Sequence, residues 1–283
     1  MIPPHPAGKE LMKLYDFDAK FFDYARTWMA LHPGLREDEI EGKYNEMMLN
    51  FLNAPAQWLN GEKPGEYFNR YDDPKDLLKL LEAYHKRDIG LPEPLYSRIV
   101  ALGEGCTPGL IRIASNSDQP EALRATALAL LNDIGAQLPV ELYAQLVAHC
   151  AEPNDLSELA ADALKAGSDD VVDALMALYG SATEYGQKLI LDICADFPPD
   201  ERVSRLLAER LLGCPGERDY YAALMEHQAD PAALAPLSQA IALTELDYLE
   251  YLAIRNAIEA LGGDPGEDRD FNGDPGYEAL RNM

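Results

Sequence analysis

Tyr248, Tyr251 and Arg255 follow one another at spacings of 3 and 4, which puts two aromatic rings and a guanidinium on one face of a helix. They sit in residues 244–256, where acids, tyrosines, Arg255 and Asn256 interrupt an otherwise apolar helical pattern, and Glu259 stands four residues beyond Arg255. Two roles fit these residues. In one, they form a core helix whose Arg255 and Asn256 satisfy neighbouring carbonyls. In the other, Tyr248, Glu250 and Tyr251, with Arg255 and Asn256 beside them, form a tyrosine-and-acid patch suited to a cationic side chain of a bound peptide. Tyr220 and Tyr221 would widen that patch, and Asp192 would add a carboxylate to it. A second candidate lies in the tail. Asp268, Asp270, Asn272 and Asp274 stand at the first, third, fifth and seventh positions of a calcium-loop pattern, with Gly273 at the sixth. The pattern then fails, because the twelfth position is Ala279 where a bidentate Glu is wanted and Pro275 occupies the eighth. A polar terminal loop and a metal site are both open on these residues.

Other chemistry is thin. The cysteines Cys106, Cys150, Cys194 and Cys214 are 44, 44 and 20 residues apart, with no Cys-x-x-Cys pair among them. They lie in or just after apolar helical stretches, as buried free thiols do in a reducing compartment. The histidines His5, His32, His85, His149 and His227 are scattered, and none falls in a metalloprotease or triad-like motif. No phosphate loop or dinucleotide fingerprint is present. The sequence therefore assigns no catalytic residue and calls for no cofactor.

The elements that must carry these residues are helices. In residues 120–135, Leu123, Ala127, Leu130, Leu131 and Ile134 fall on one helical face, and Gly135 supplies the stop. Residues 154–167 repeat the form with Leu156, Leu159, Ala160, Ala163 and Leu164. No convincing alternating strand is found, so the reading is all-α. Helix starts fall into two interleaved series. Pro108, Pro139, Asp169, Pro199 and Pro231 step by 31, 30, 30 and 32 residues; Pro120, Pro153, Thr183, Gly216 and Thr244 step by 33, 30, 33 and 28. Two helices recurring together predict a helical repeat, in which each pair buries its apolar face on its neighbours.

Residues 121–131, Glu-Ala-Leu-Arg-Ala-Thr-Ala-Leu-Ala-Leu-Leu, and residues 254–262, Ile-Arg-Asn-Ala-Ile-Glu-Ala-Leu-Gly, resemble the second helix of HEAT-like, armadillo-type repeats of the short bacterial variety. Residues 229–237 are similar to that family's turn and first helix. Between residues 153 and 229 the Arg is absent or displaced, and the register there is open. The resemblance implies a right-handed α-α superhelix over residues 91–262 that serves as a binding scaffold.

Residues 1–90 do not share the period. Five of the seven Phe and both Trp lie there, on expected helices over 10–31, 38–59 and 74–84, with a loop over 60–65. An aromatic helical bundle would cap the first exposed repeat, and a separate recognition domain is the other reading. The expected division is thus 1–90, 91–262 and a polar tail over 263–283.

Charge narrows the partner. The 283 residues carry 24 Lys plus Arg against 49 Asp plus Glu, net −25, and residues 91–283 hold −21 of it. Phosphate backbones are repelled, so no nucleic-acid partner is expected. No apolar run spans a bilayer, and the first residues lack a basic patch followed by an apolar stretch; neither membrane insertion nor secretion is expected, and the default address is cytoplasmic. The expected function is non-enzymatic binding of a protein or basic peptide on an acidic surface of the second helices. The alternative is an enzyme using the helices as scaffold for a small molecule or modified residue.

Overall fold

A computed structural model of the chain describes residues 13–135 and 139–281. Among the described residues it holds sixteen α-helices, four short 3-10 segments and no strand, with Ala56 and Glu62 forming one isolated bridge. The chain divides into two compact units, Met1–Gln137 and Leu138–Met283.

The first unit holds α1 (Phe17–Leu31), α2 (Glu37–Glu41), α3 (Tyr44–Asn53), α4 (Pro74–Lys86), α5 (Glu93–Leu102), α6 (Thr107–Ser115) and α7 (Glu121–Ile134). Its early core is aromatic. Phe17 packs edge-on to Trp58 at 5.2 Å and against Phe68 at 5.6 Å, and Phe21 meets Phe51 at 5.5 Å. Two expected helices are shorter than the pattern predicts. The first begins only at Phe17, because Asp16 turns its carboxylate onto the Ala19 N–H and caps the chain there. The expected 38–59 helix breaks after Glu41 and again at Ala54, which is forced extended by Pro55. The expected 60–65 loop is real only in part: Pro64–Arg70 is a 3-10 helix. In α4, Asp73 caps and Pro74 leads, and the helix buries Leu77, Leu78, Leu80, Leu81 and Tyr84. It packs on α5, α6 and α7.

The second unit is a series of helix pairs: α8 (Val140–Ala148) with α9 (Asp155–Lys165), α10 (Asp170–Tyr179) with α11 (Glu184–Cys194), α12 (Glu201–Gly213) with α13 (Arg218–Gln228), and α14 (Leu234–Ile241) with α15 (Tyr248–Ala260). A short α16 (Pro275–Arg281) comes last. The partners in each pair pack together; α8 also packs on α10, α9 on α11, α12 on α14 and α13 on α15. Helix starts fall at or within a few residues of both sequence series. The largest shift is at Thr244, where Asp247 rather than Thr244 caps the helix by accepting from the Glu250 N–H at 2.8 Å.

One device recurs at the turn inside the pairs. The last carbonyls of a helix have no intrahelical donor and carry the negative end of its dipole. In the first unit Arg124 of α7 donates to Ala114 O at the end of α6, at 2.9 Å. In the second, Gln187 of α11 donates to Tyr179 O at 3.1 Å, and Arg218 of α13 donates to Leu211 O at 3.2 Å. Arg124 and Gln187 hold the same fourth position of their helices, so glutamine stands where the repeat pattern has lost its arginine. At the end of α8 the donors come from the next pair: the Thr183 N–H bonds Ala148 O at 2.9 Å, and its hydroxyl bonds Cys150 O. A β-carbon at Gly186 would collide with Ala148 O, so this approach of α11 to α8 requires glycine.

Candidate functional site

The residues expected to form an exposed patch on α15 divide into two kinds. Glu250 is only 4% exposed, and Arg218, 2% exposed, lies against it at 3.4 Å. The Glu250 carboxylate also accepts from the Gly216 N–H at 2.6 Å, while Arg218 reaches Glu245 at 3.3 Å. This buried pair ties the start of α13 to α15 and presents no acid to a partner, which corrects the expectation for Glu250. Tyr251 is 4% exposed as well, and its ring is covered by Phe271 at 4.9 Å. Tyr248 is half-buried between Phe271 at 5.3 Å and Tyr277 at 5.0 Å. Arg255 donates to Glu259 at 3.1 Å and to Asp268, and Asn256 is exposed. The aromatic anchors are thus present but already hold the chain's own C-terminal segment.

That segment does not gather a metal site. Asp268 turns to Arg255, Asp270 accepts from the Asn272 N–H at 2.9 Å, and Asp274 accepts from the Gly276 N–H at 2.8 Å and the Tyr248 N–H at 3.2 Å. The side chains serve local turns instead of converging. Among the described residues no group of three or more His, Cys, Asp or Glu is placed to hold a metal ion.

Asp192 falls elsewhere, on α11, and Tyr220 and Tyr221 fall on α13; α9 is the second helix that precedes them. Glu158, Asp162 and Lys165 stand at spacings 4 and 3 on α9. Tyr185, Lys188 and Asp192 stand at 3 and 4 on α11, and Tyr220 and His227 lie seven apart on α13, three and ten residues after Glu217. Three helices therefore carry polar residues on matching faces. Across them, Lys165 lies 2.8 Å from Asp192 and 3.1 Å from Asp196, and Asp196 meets His227 at 2.6 Å. Tyr220 donates to Asp192 at 3.4 Å. The Lys188 ammonium sits 2.9 Å from Glu217 and 4.3 Å from the centre of the Tyr220 ring. Tyr221 is buried, with its hydroxyl donating to Glu217 at 3.4 Å.

The electrostatics result from these contacts. Burial alone would lower the Lys165 ammonium, but its bonds to Asp192 and Asp196 outweigh that and raise it. Burial would raise the Asp196 carboxyl; His227 and Lys165 outweigh it, and the carboxyl lies below the usual range. The hydrogen bond from Lys188 holds Glu217 below that range too. Burial raises the Tyr220 phenol and pushes Tyr221 up to about 12. Glu158, Asp162 and Glu184 are exposed and form no ion pair among the described residues. What this face can do is hold ammonium groups between carboxylates and an aromatic ring.

Lys165, Lys188, Asp196, Glu217 and His227 were not singled out as site residues by pattern alone. A signal for them exists: Lys188 and Glu217 are 29 residues apart, Asp192 and Tyr220 28, and Asp196 and His227 31. Each separation is close to one repeat period, so residues at equivalent positions of successive pairs meet.

Elsewhere, a recess of about 420 Å³ in the first unit is lined by Pro55, Gly61, Glu62, Lys63, Tyr67 and Arg70, among others. Its charges are satisfied within it: Arg70 pairs with Glu62, and Lys63 with Glu66 at 2.8 Å. Cys106, Cys150 and Cys194 are buried free thiols, and Cys214 is half-buried and free. Burial pushes the Cys194 thiol up to about 12 and raises Cys106. Among the described residues no helix is long and apolar enough to cross a membrane.

The fold and the face together define an all-α protein of packed helix pairs. Comparison with protein-family models, curated proteins and solved structures finds no match.

Proposed function

We propose that this chain is a non-enzymatic, cytoplasmic helical-repeat scaffold that binds a basic, lysine-bearing segment of another protein on the face of α9, α11 and α13. The helix pairs of the second unit are read as HEAT-like repeats of a right-handed α-α superhelix. The interleaved starts and the recurring donors onto first-helix carbonyls support that reading. In the first unit, the packing of α4 on α5, α6 and α7 supports a capping role for the helices before residue 90.

The observation that carries the functional reading is Lys188, whose ammonium lies between the Glu217 carboxylate and the Tyr220 ring. An acid and an aromatic face together favour an ammonium over water, and with Lys188 in that place a partner's lysine displaces it or binds the exposed carboxylates of the same face. Exposed Glu158, Asp162 and Glu184 extend the same face with carboxylates that a partner's lysines can neutralise. The net −21 of residues 91–283 steers basic segments toward it and nucleic acid away.

A synthetic lysine-rich peptide titrated into the protein tests this. Binding is expected to weaken steeply as salt rises, because charge steering is screened over about 8–10 Å. Reversing Glu158, Asp162 and Glu184 to Lys should weaken it at least about tenfold, a change of roughly 1.4 kcal/mol. Unchanged affinity in that variant, with helical content intact by circular dichroism, would leave the charge as a solubility feature alone.

A further inference from the structure

The segment after α15 is held to α14 and α15 by side chains. No backbone–backbone hydrogen bond joins residues 264–281 to either helix among the described residues. The anchors are few and specific. Asp268 pairs with Arg255. The Arg269 guanidinium donates to Leu243 O at 2.5 Å and to Ile241 O, and lies 5.5 Å from the Tyr251 ring. Phe271 rests on Tyr251 and Tyr248 at 4.9 and 5.3 Å, and Tyr251 donates to Glu267 O at 3.4 Å. Residues 268–271 themselves form neither helix nor strand.

The place Arg269 fills differs from that in three other pairs, and unlike the end of α8, which the next pair serves through Thr183, it is filled by an irregular segment. At the ends of α6, α10 and α12 the terminal carbonyls receive a side chain from the second helix of the same pair: Arg124, Gln187 and Arg218. At the end of α14 the donor comes from a separate stretch of chain, 26 residues beyond Leu243. The α14–α15 pair thus leaves a carbonyl site for a guanidinium delivered from outside it. Beside that site stand two tyrosine rings that take an aromatic side chain two residues further along.

We propose that the α14–α15 surface is a docking groove for a segment of another protein bearing Asp-Arg-x-aromatic, and that residues 268–271 occupy it as an intramolecular ligand. The carbonyls of Ile241 and Leu243 select the guanidinium by its fork of donors, Tyr251 and Tyr248 select the ring, and Arg255 selects the preceding carboxylate. A segment without backbone ladder bonds opens at low cost compared with the helices beneath it. Tethering gives it an effective concentration of about millimolar, which a partner segment has to outcompete. This groove is separate from the lysine-binding face of α9, α11 and α13, and neither reading rests on the other.

The test is a labelled synthetic peptide copying residues 264–281, titrated into the full-length chain and into its Arg269→Ala/Phe271→Ala variant. The variant, its own occupant weakened, should bind the peptide at least about tenfold more tightly than the unaltered chain does. A peptide with the same two substitutions should bind neither. Reversal of Glu158, Asp162 and Glu184 to Lys should leave this binding unchanged, which separates it from the basic-segment reading. A folded variant that binds the native and substituted peptides alike, or no better than the unaltered chain, overturns the proposal. Hydrogen exchange on the unaltered protein gives an independent check. Amides of residues 264–281 should exchange well before those of α14 and α15, and exchange only with global unfolding overturns it as well.

Discussion

The face of α9, α11 and α13 and the surface of α15 are built from the same residue types, tyrosines, acids and a long cation, yet they end in opposite conditions. On the first, Tyr220 stays half-buried and shares Lys188 with Glu217, and exposed carboxylates flank it. On the second, Glu250 is buried against Arg218 and Tyr251 lies under Phe271. Glu250 is buried by the preceding α13, and for the tyrosines the difference lies in the stretch of chain after each helix. After α11 comes another pair, whose residues meet it at one period and share its charges. After α15 comes an irregular segment that brings an arginine and a phenylalanine. Residue type alone does not decide whether a tyrosine-and-acid pattern is a surface or a seam; the elements packed on it, before and after in the chain, do.

The comparison breaks most violently at Glu250. Glu250→Ala takes from the buried Arg218 guanidinium its one buried carboxylate and leaves it only the exposed Glu245, and removing one partner of a buried pair costs up to about 3–5 kcal/mol. Urea denaturation should show a loss of that size. Replacing both residues, Arg218→Met with Glu250→Leu, should recover most of it, because no uncompensated charge then remains. A loss under about 1 kcal/mol in the single variant would place Glu250 with the surface acids after all.

The helices were legible because their signals are local. Asp73, Thr183 and Asp200 each accept from a backbone N–H two or three residues on, and that chemistry shows in the sequence; at α15 the pattern points to Thr244, and Asp247 caps instead. The break at Gly42 and Pro55 was less legible, because the apolar spacing of residues 38–59 runs straight through it. The fate of Glu250 was not legible, since it depends on Arg218, 32 residues away. The tail's aspartates matched a calcium pattern by type, but their nearest donors are backbone N–H groups and Arg255, which the pattern cannot show. The lysines of the α11 face were readable only once the period was applied to charges as well as to apolar positions.

A smaller effect sharpens the contrast between the two tyrosines. Tyr251→Ala opens a buried aromatic seam and should cost about 3 kcal/mol or more. Tyr220→Ala removes a half-buried ring and one weak hydrogen bond, and should cost about 1 kcal/mol. Its consequence for binding should be larger than for stability, because it dismantles the site that holds the Lys188 ammonium. Thermal unfolding of the two variants, read alongside lysine-peptide affinity, separates the roles. Equal destabilisation by both would show that Tyr220 is as structural as Tyr251.

The smallest effect is the share of the acid response that Asp196 and Glu217 contribute in one of the two regions. Asp196 and Glu217 have folded-state carboxyls held below their ordinary values by His227, Lys165 and Lys188. A depressed carboxyl contributes stability that is fully present above its unfolded value, near pH 4, and is lost as pH falls through the folded value. The contacts of Phe271 with Tyr248 and Tyr251, and of Arg269 with the α14 carbonyls, contain no such carboxyl, but Asp268 on Arg255, Asp274 on the Tyr248 N–H and Glu250 on Arg218 lie beside them and give α15 an acid response of its own. Lowering the pH from about 5 to about 3 should therefore speed amide exchange in both regions, after correction for the intrinsic rate, and only in α11 and α13 should part of the response depend on Asp196 and Glu217. The carboxyls are partly exposed, so the loss should amount to a few tenths of a kcal/mol per group. Asp196→Asn should remove its share of the acid response while leaving α15 unchanged. If Asp196→Asn changes the acid response of α15 as much as that of α11, the charge network and the aromatic seam are not independent, and the contrast between the two regions fails.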